Sequence, residues 1–258
     1  MARVKLVLEY DGTNYVGWQI QQNGASVQGR VQLALQKLLG EPVALWAAGR
    51  TDSGVHARGQ VVAFDSPRQL PLKAYWMGLN SLLPEDIAVV KAEEVSPDFD
   101  PRRWARGKRY RYLISNRRSR SPGRRHSHWE IFLPLALPAM QDAAKCLIGK
   151  HDFSAFRAAD CQAAHALREI TRVDVTGTVG DEITVVVEGT AFLKHMVRNI
   201  VGTLAEVGRG RQPPSWVKQV LDGQDRTKAG STAPPHGLSL EEVFYGDGPR
   251  VDGDQHDD

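Results

Sequence analysis

The chain has 258 residues, 41% of them hydrophobic and 24% charged, with a net charge of +3: the make-up of a globular protein with one large core or two modest ones. No run approaches the ~18 apolar residues of a membrane span, and the N-terminus "MARVKLVLEY" lacks a signal peptide's apolar centre and cleavage site. The two cysteines, Cys146 and Cys161, form neither a C-x-x-C nor a disulfide-rich pattern, so a cytoplasmic, reducing home is expected and no membrane partner.

Arg3–Tyr10 alternates apolar and polar residues, as a half-buried strand does, and ends in the turn "DGTNY". Ser26 is a suitable N-cap for a helix whose apolar positions Val27, Val31, Ala34, Leu35, Leu38 and Leu39 keep helical spacing, and Gly40 closes it. Val43–Ala48 and Gln60–Phe64 read as strands. Pro71 opens a helix through Leu83, stopped by Pro84, and Ile87–Val95 is a further strand. After a boundary expected near residues 100–106 come a strand over Arg106–Ser115 and a helix over Pro138–Ile148. A hairpin of Ile170–Val179 and Glu182–Phe192 turns at Gly180-Asp181. Helical periodicity runs from Phe192 to Val207. A short helix over Ser215–Leu221, the loop "DRTKAGSTAPPHG" and a strand over Leu238–Tyr245 complete the chain. Strands that come in hairpins as well as crossovers predict an α+β fold with antiparallel sheets flanked by helices. The division expected is 1–105, 106–245 and a disordered acidic tail, 246–258.

The net charge conceals a concentration. Arg102–His128 holds 11 of the 33 basic residues and none of the 30 acidic ones, so the rest of the chain is net acidic. A concentrated positive charge suits a polyanion, although Arg-rich loops are also ordinary solvated surface. Within this window, "GKRYRYLI" puts Tyr110, Tyr112 and Ile114 on one face of a strand and Arg109, Arg111 and Leu113 on the other. Two tyrosines on one face usually fill a core. The functional reading is an RNA surface, with arginine for phosphate and tyrosine for stacking.

No dinucleotide fingerprint, P-loop, H-E-x-x-H or G-x-S-x-G motif is present, and the histidines and cysteines lack metal-ligand spacing. No cofactor and no metal are therefore expected. What remains is "AGRTDSGVHARGQ", with Asp52 in a turn two residues after Arg50. Asp followed closely by Gly is common turn chemistry, and most such aspartates do nothing more. The alternative is a carboxylate presented on a rigid strand end. In "FLKHMVRNIVG", Lys194 and Arg198 stand i, i+4, which reads either as a solvated helix face or as a source of a carboxylate's partner.

Together "YDGTNYVGWQIQ", "GRTDSGVHARGQ", "RGKRYRYLI", "FLKHMVRNIVG" and "STAPPHGLSL" resemble the tRNA pseudouridine synthase A family, over about Arg3 to Tyr245. The resemblance implies isomerisation of uridine to pseudouridine at tRNA positions 38, 39 and 40, in the anticodon arm. It implies a homodimer without metal or organic cofactor, and a fold of two α+β halves around a basic cleft. Matched by motif, Asp52 is the nucleophile and Arg198 the cation that keeps it ionised; Arg50 contacts the flipped nucleotide's backbone and Tyr110 stacks on the uracil. Arg109 and Arg111 are expected to touch RNA. Two other classes stay open on the letters alone: a non-catalytic RNA-binding module, and a triad hydrolase using Ser53 or another serine with His56.

Overall fold

The computed structural model describes residues 2–249, and its backbone forms two compact units. The first runs to Arg106 and resumes at Leu240; the second is Gly107–Ser239. The expected tail lies outside the described residues from position 250 onward.

The first unit is built on β1 (Ala2–Tyr10), α1 (Val27–Leu39), β2 (Trp46–Ala47), β3 (His56–Ser66), α2 (Leu79–Leu82) and β4 (Ile87–Val95). β1 is central, antiparallel to both β3 and β4, with Leu6 opposite Val62 on one side and Ala92 on the other. Its alternation is obeyed closely: Val4, Leu6, Leu8 and Tyr10 are buried while Arg3, Lys5 and Val7 are not. α1 begins and ends where its caps require. The Ser26 hydroxyl accepts from the Gly29 N–H, and Gly40 takes the left-handed conformation at φ 86°. The helix sinks Val27, Val31, Ala34, Leu35 and Leu39 into the core, at about 1.5–3 kcal/mol for each large side chain fully buried.

Three expectations change here. The strand expected over Val43–Ala48 shortens to Trp46–Ala47, with one further bond from the Ala48 N–H to the Val61 carbonyl, whereas its partner β3 is longer than the Gln60–Phe64 core that hydropathy marks. The expected Pro71–Leu83 helix contains a π-turn, Ala74–Gly78, before α2. A residue inserted in a helical ladder shifts the faces that periodicity would assign.

The second unit contains, from Gly107 onward, β5 (Ala105–Ser115), then β6 (Trp129–Glu130), α3 (Leu137–Ala144), β7 (Gly149–Asp152), β8 (Leu167–Gly177), β9 (Glu182–Gly189), α4 (Met196–Gly208) and α5 (Ser215–Gly223). Its sheet order is β5-β9-β8-β7, all antiparallel, with β6 added parallel to β5. The hairpin turns at Gly180-Asp181 as expected, Gly180 at φ 91° and the Asp181 N–H bonded to the Thr178 carbonyl. The final strand, β10 (Leu238–Tyr245), ends the described elements, and from Leu240 it belongs with the first unit, where it lies beside β3. There the backbones come close: a Cβ on Gly59 would stand 2.3 Å from the Glu241 carbonyl oxygen. The fold is α+β, with antiparallel sheets and flanking helices.

α4 starts at Met196 rather than at Phe192 because His195 sits in the left-handed region, φ 63°, which no α-helix continues through. Lys194 is therefore outside the helix, not on its polar face with Arg198. It pairs instead with Asp160 at 2.5 Å, both side chains being exposed.

Candidate active site

In the first unit, Asp52 leads a tight turn. The Val55 N–H bonds to the Asp52 carbonyl at 3.1 Å, and Gly54 takes φ 76°. Ser53 is not among the positive-φ residues, so this is a type II turn, which demands glycine at that third position. The turn is held from outside by the segment after β1. The Tyr15 carbonyl accepts from the Gly54 N–H at 3.3 Å and from the Ser53 hydroxyl at 3.2 Å, and the Trp18 N–H donates to the Thr51 carbonyl at 3.0 Å. Tyr10 and Thr51 share a buried hydroxyl–hydroxyl bond of 2.8 Å.

Two glycines permit this approach. A Cβ on Gly12 would lie 2.0 Å from the Val55 carbonyl oxygen, and one on Gly17 would meet Thr51 O at 2.6 Å and the Asp52 carbonyl carbon at 3.1 Å. Behind the turn, fully buried Gln60 donates to the Gly49 carbonyl at 2.8 Å and so ties down the strand end before Arg50. Asp52 itself is half-buried and Arg50 exposed. The frame is mainly backbone held by backbone, with the carboxylate at its rim.

Tyr15 is anchored in turn. Its hydroxyl donates to the Asp86 carboxylate at 2.5 Å, and burial, followed by that carboxylate, pushes its pKa well above the ordinary phenol value. Sequence reasoning misses Gly12, Tyr15, Gly17 and Asp86 as members of this frame. The letters "YDGTNYVGW" carry the glycines, but which backbone they approach is a long-range fact.

The serine–histidine alternative finds no support at this turn. Ser53 gives its hydroxyl proton to Tyr15, not to His56. His56 Nδ1 lies 3.1 Å from both the Gly12 N–H and an Asp11 carboxylate oxygen: neutral, it accepts from the first, and protonated, it donates to the second.

In the second unit, β5 buries Tyr110, Tyr112 and Ile114 on one face, as the alternation predicts. The two tyrosines then differ. Tyr112 is a core residue: it is fully buried, its hydroxyl donates to the Pro234 carbonyl at 2.8 Å, and burial holds that hydroxyl protonated despite the opposing pull of Arg198. Tyr110 keeps 8% exposure and meets the Phe192 ring edge-on at 5.0 Å. On the opposite face Arg109 pairs with Glu188 at 2.7 Å, and Arg172 reaches the same carboxylate oxygen at 3.1 Å. Arg111 is half-buried on that face. The two arginines expected to touch RNA are thus partly engaged within the protein.

Arg198, on the first turn of α4, is half-buried and directs Nε to the Ala233 carbonyl at 2.8 Å. Ala233 returns the bond, its N–H donating to the Arg198 carbonyl at 3.2 Å. "STAPPHGLSL" therefore supplies backbone that orients this arginine. Among the described residues no group of three or more His, Cys, Asp or Glu could hold a metal ion, and no helix is long and apolar enough to cross a membrane.

The first unit thus holds a carboxylate on a clamped turn, and the second holds an edge-stacked tyrosine on a basic strand and an oriented arginine. The chain belongs to the tRNA pseudouridine synthase family, an isomerase family, which it matches over residues 6–102 and 143–246. It is 66% identical over 249 residues to the tRNA pseudouridine synthase A of Myxococcus xanthus, covering 96% of this chain and 94% of that protein. It is 51% identical over 245 residues to the tRNA pseudouridine synthase A of Geobacter sulfurreducens (strain ATCC 51573 / DSM 12127 / PCA), covering 95% of this chain and all of that one. Family membership sets aside both the non-catalytic RNA-binding module and the serine hydrolase. The segment 103–142, outside the family match, contains the arginine-rich loop.

Proposed function

We propose that this protein isomerises uridine to pseudouridine at positions 38, 39 and 40 of the tRNA anticodon stem-loop, with Asp52 as the catalytic nucleophile. The observation that carries the reading is the frame around Asp52: a type II turn clamped by Tyr15 and Trp18 and backed by Gln60, in a family that performs this isomerisation. The reaction breaks the N1–C1′ bond, turns the uracil and rejoins it through C5, with loss of the C5 proton and gain of one at N1. A carboxylate serves by adding to C6, by trapping C1′ or by removing the C2′ proton. All three need an ionised, fixed aspartate.

The target base is stacked in a helical stem, so it is extruded before Asp52 acts, and unstacking costs a few kcal/mol. In this reading Arg50, exposed two residues before the nucleophile, binds the backbone of the flipped nucleotide. Tyr110 stacks on the uracil, its ring already braced by Phe192. Arg198 supplies the cation that favours the charged aspartate, while Arg109 and Arg111 contribute to RNA contact. The nucleophile lies in the first unit, expected as residues 1–105, and the tyrosine and arginine lie in the second. The protein acts as a cytoplasmic homodimer and needs no cofactor.

The test is direct. Unmodified tRNA transcripts are incubated with the protein and pseudouridine is mapped by carbodiimide-dependent reverse-transcription stops, because mass cannot distinguish an isomer. Stops at positions 38, 39 or 40, undiminished by a chelator, are the expected result; stops confined to other positions would refute the assignment of site. Light scattering of the active protein reads the oligomeric state, and an active monomer would refute the dimer.

A further inference from the structure

The loop that orients Arg198 is itself locked by a second arginine. Arg226 donates from Nη1 to the Gly230 carbonyl at 2.9 Å, and from Nη2 to the Asn199 side-chain oxygen at 3.1 Å and the Thr232 hydroxyl at 3.0 Å. The Thr232 hydroxyl donates on to the same Asn199 oxygen at 2.7 Å, and the Asn199 amide nitrogen donates to the Phe156 carbonyl at 2.7 Å. Two donors converging on one side-chain oxygen fix the orientation of that amide. Asn199 and Thr203 are fully buried on α4, and the Thr203 hydroxyl accepts from the Gly230 N–H at 3.0 Å.

The backbones meet where this lock closes. A Cβ on Gly202 would stand 1.7 Å from the Ser231 carbonyl oxygen, and one on Gly230 would stand 2.7 Å from the Thr203 Cα. Residues 230–232 thus have one seat against α4. The next residue is Ala233, whose carbonyl receives Arg198 Nε. A hydrogen bond at Nε sets the plane of a guanidinium and hence the directions of its two terminal nitrogens.

Arg226 makes no ion pair among the described residues: burial alone lowers its pKa from the ordinary arginine value, and its donors go to a carbonyl, an amide oxygen and a hydroxyl. Drawing a half-buried cation partly out of water without an anion carries a cost, and an apolar side chain there would spare it. A geometric role explains its place: the rigid fork reaches Gly230, Asn199 and Thr232 at once, which a lysine's single nitrogen does not do in one plane.

We propose that Arg226 is a positioning residue for Arg198, acting through Thr232, Gly230 and the Ala233 carbonyl. This rests on the reading that Arg198 serves the reaction. Arg226→Met is expected to lower the single-turnover rate of pseudouridine formation by about 10–100-fold, the scale of a misplacement approaching 1 Å, with tRNA affinity within about twofold of wild type. Arg226→Lys does not restore the rate. Thr232→Val, which removes one link and leaves the shape, shifts the rate the same way by less.

A purely structural role would lower melting temperature without touching Arg198, so the decisive readout is the Arg198 side chain. In protein labelled with 15N-arginine, the Arg198 Nε–H signal, identified by its loss in Arg198→Lys, exchanges slowly with solvent in the wild type. It is expected to exchange at least about tenfold faster in Arg226→Met under conditions where the protein is folded, an opening of the Ala233 bond. An unchanged Nε–H signal, or a wild-type rate in Arg226→Met, overturns the proposal. A wild-type rate in Arg198→Lys and in Arg198→Ala overturns the underlying reading instead, while leaving the exchange test of the lock intact.

Discussion

Gly17→Ala probes the frame around Asp52 without touching the carboxylate. Gly17 stands at φ 109°, where an L side chain is strained by about 1–3 kcal/mol. Its new Cβ would be 2.6 Å from Thr51 O, 3.1 Å from the Asp52 carbonyl carbon and 3.2 Å from Ser53 N. All three are backbone atoms, so no rotamer change relieves the clash, and overpacking of this kind costs about 1–3 kcal/mol. The reduced flexibility of the unfolded chain returns roughly 0.4–1 kcal/mol. The net destabilisation is then about 1–5.5 kcal/mol, a fall in Tm of about 2–20 °C. The atoms that must withdraw are those that carry Asp52, and displacing a reacting group by up to 1 Å costs up to about 100-fold in rate. A thermal melt and a single-turnover assay well below the melt read both effects. Gly123→Ala is the control, since its Cβ would meet nothing within 4 Å. If Gly17→Ala melts and turns over like the wild type, the turn is not held by this close approach and the reasoning fails.

Four further outcomes follow from particular side chains. Tyr110→Phe keeps the edge-on packing with Phe192 and is expected to fold normally but turn over slowly. Tyr112→Phe removes a buried hydroxyl from Pro234 and should cost about 1–3 kcal/mol of stability with little effect on rate, so reversed phenotypes would exchange the two assignments. Replacing Arg117, Arg118 and Arg120 by alanine should flatten the salt dependence of tRNA binding by up to about 0.7–0.9 for each phosphate no longer neutralised, and an unchanged slope would leave this loop as solvated surface. Asp65 accepts a two-pronged bond from Arg3, at 2.8 and 2.9 Å, and that bond, ahead of a smaller opposing effect of burial, holds its pKa below the ordinary 3.8. A depressed carboxylate pKa contributes stability above the unfolded value and loses it as pH falls through the folded one. Asp65→Asn should therefore cost about 0.2–1 kcal/mol at pH 7, the scale of a part-exposed pair, and the difference from wild type should shrink as pH falls below the ordinary carboxylate range.

What could be read from the letters was local. Ser26 and Gly40 bracket α1 because capping depends on neighbours three or four residues away, and the alternation of β1 and β5 names their buried faces because a strand's period is two. The turn at Asp52 was equally legible, its glycine being demanded by type II geometry. What failed depended on distant partners. Lys194 fell out of α4 because His195 turned left-handed, and the strand before Arg50 shrank to Trp46–Ala47, with only the Ala48 N–H still reaching the Val61 carbonyl of β3 beyond it. The clamp by Tyr15 and the Arg226 lock join residues far apart in sequence. A sharper reading would have stopped at Asn199 and Thr203, two polar residues one turn apart on an otherwise apolar helix face, since buried polar groups require partners.

The assignment of Asp52 as nucleophile is the central claim, and Asp52→Asn tests it most directly. The substitution keeps the side chain's size and the turn's backbone bonds, so folding should survive within about 1 kcal/mol. Binding of tRNA should persist, because most of its affinity comes from phosphate contacts. The charge that every route to pseudouridine needs is gone, so carbodiimide mapping of transcripts incubated with the folded, tRNA-binding variant should show no stops at positions 38, 39 or 40. Stops at those positions, formed at the wild-type rate, would contradict the assignment and return Asp52 to the role of an ordinary turn residue.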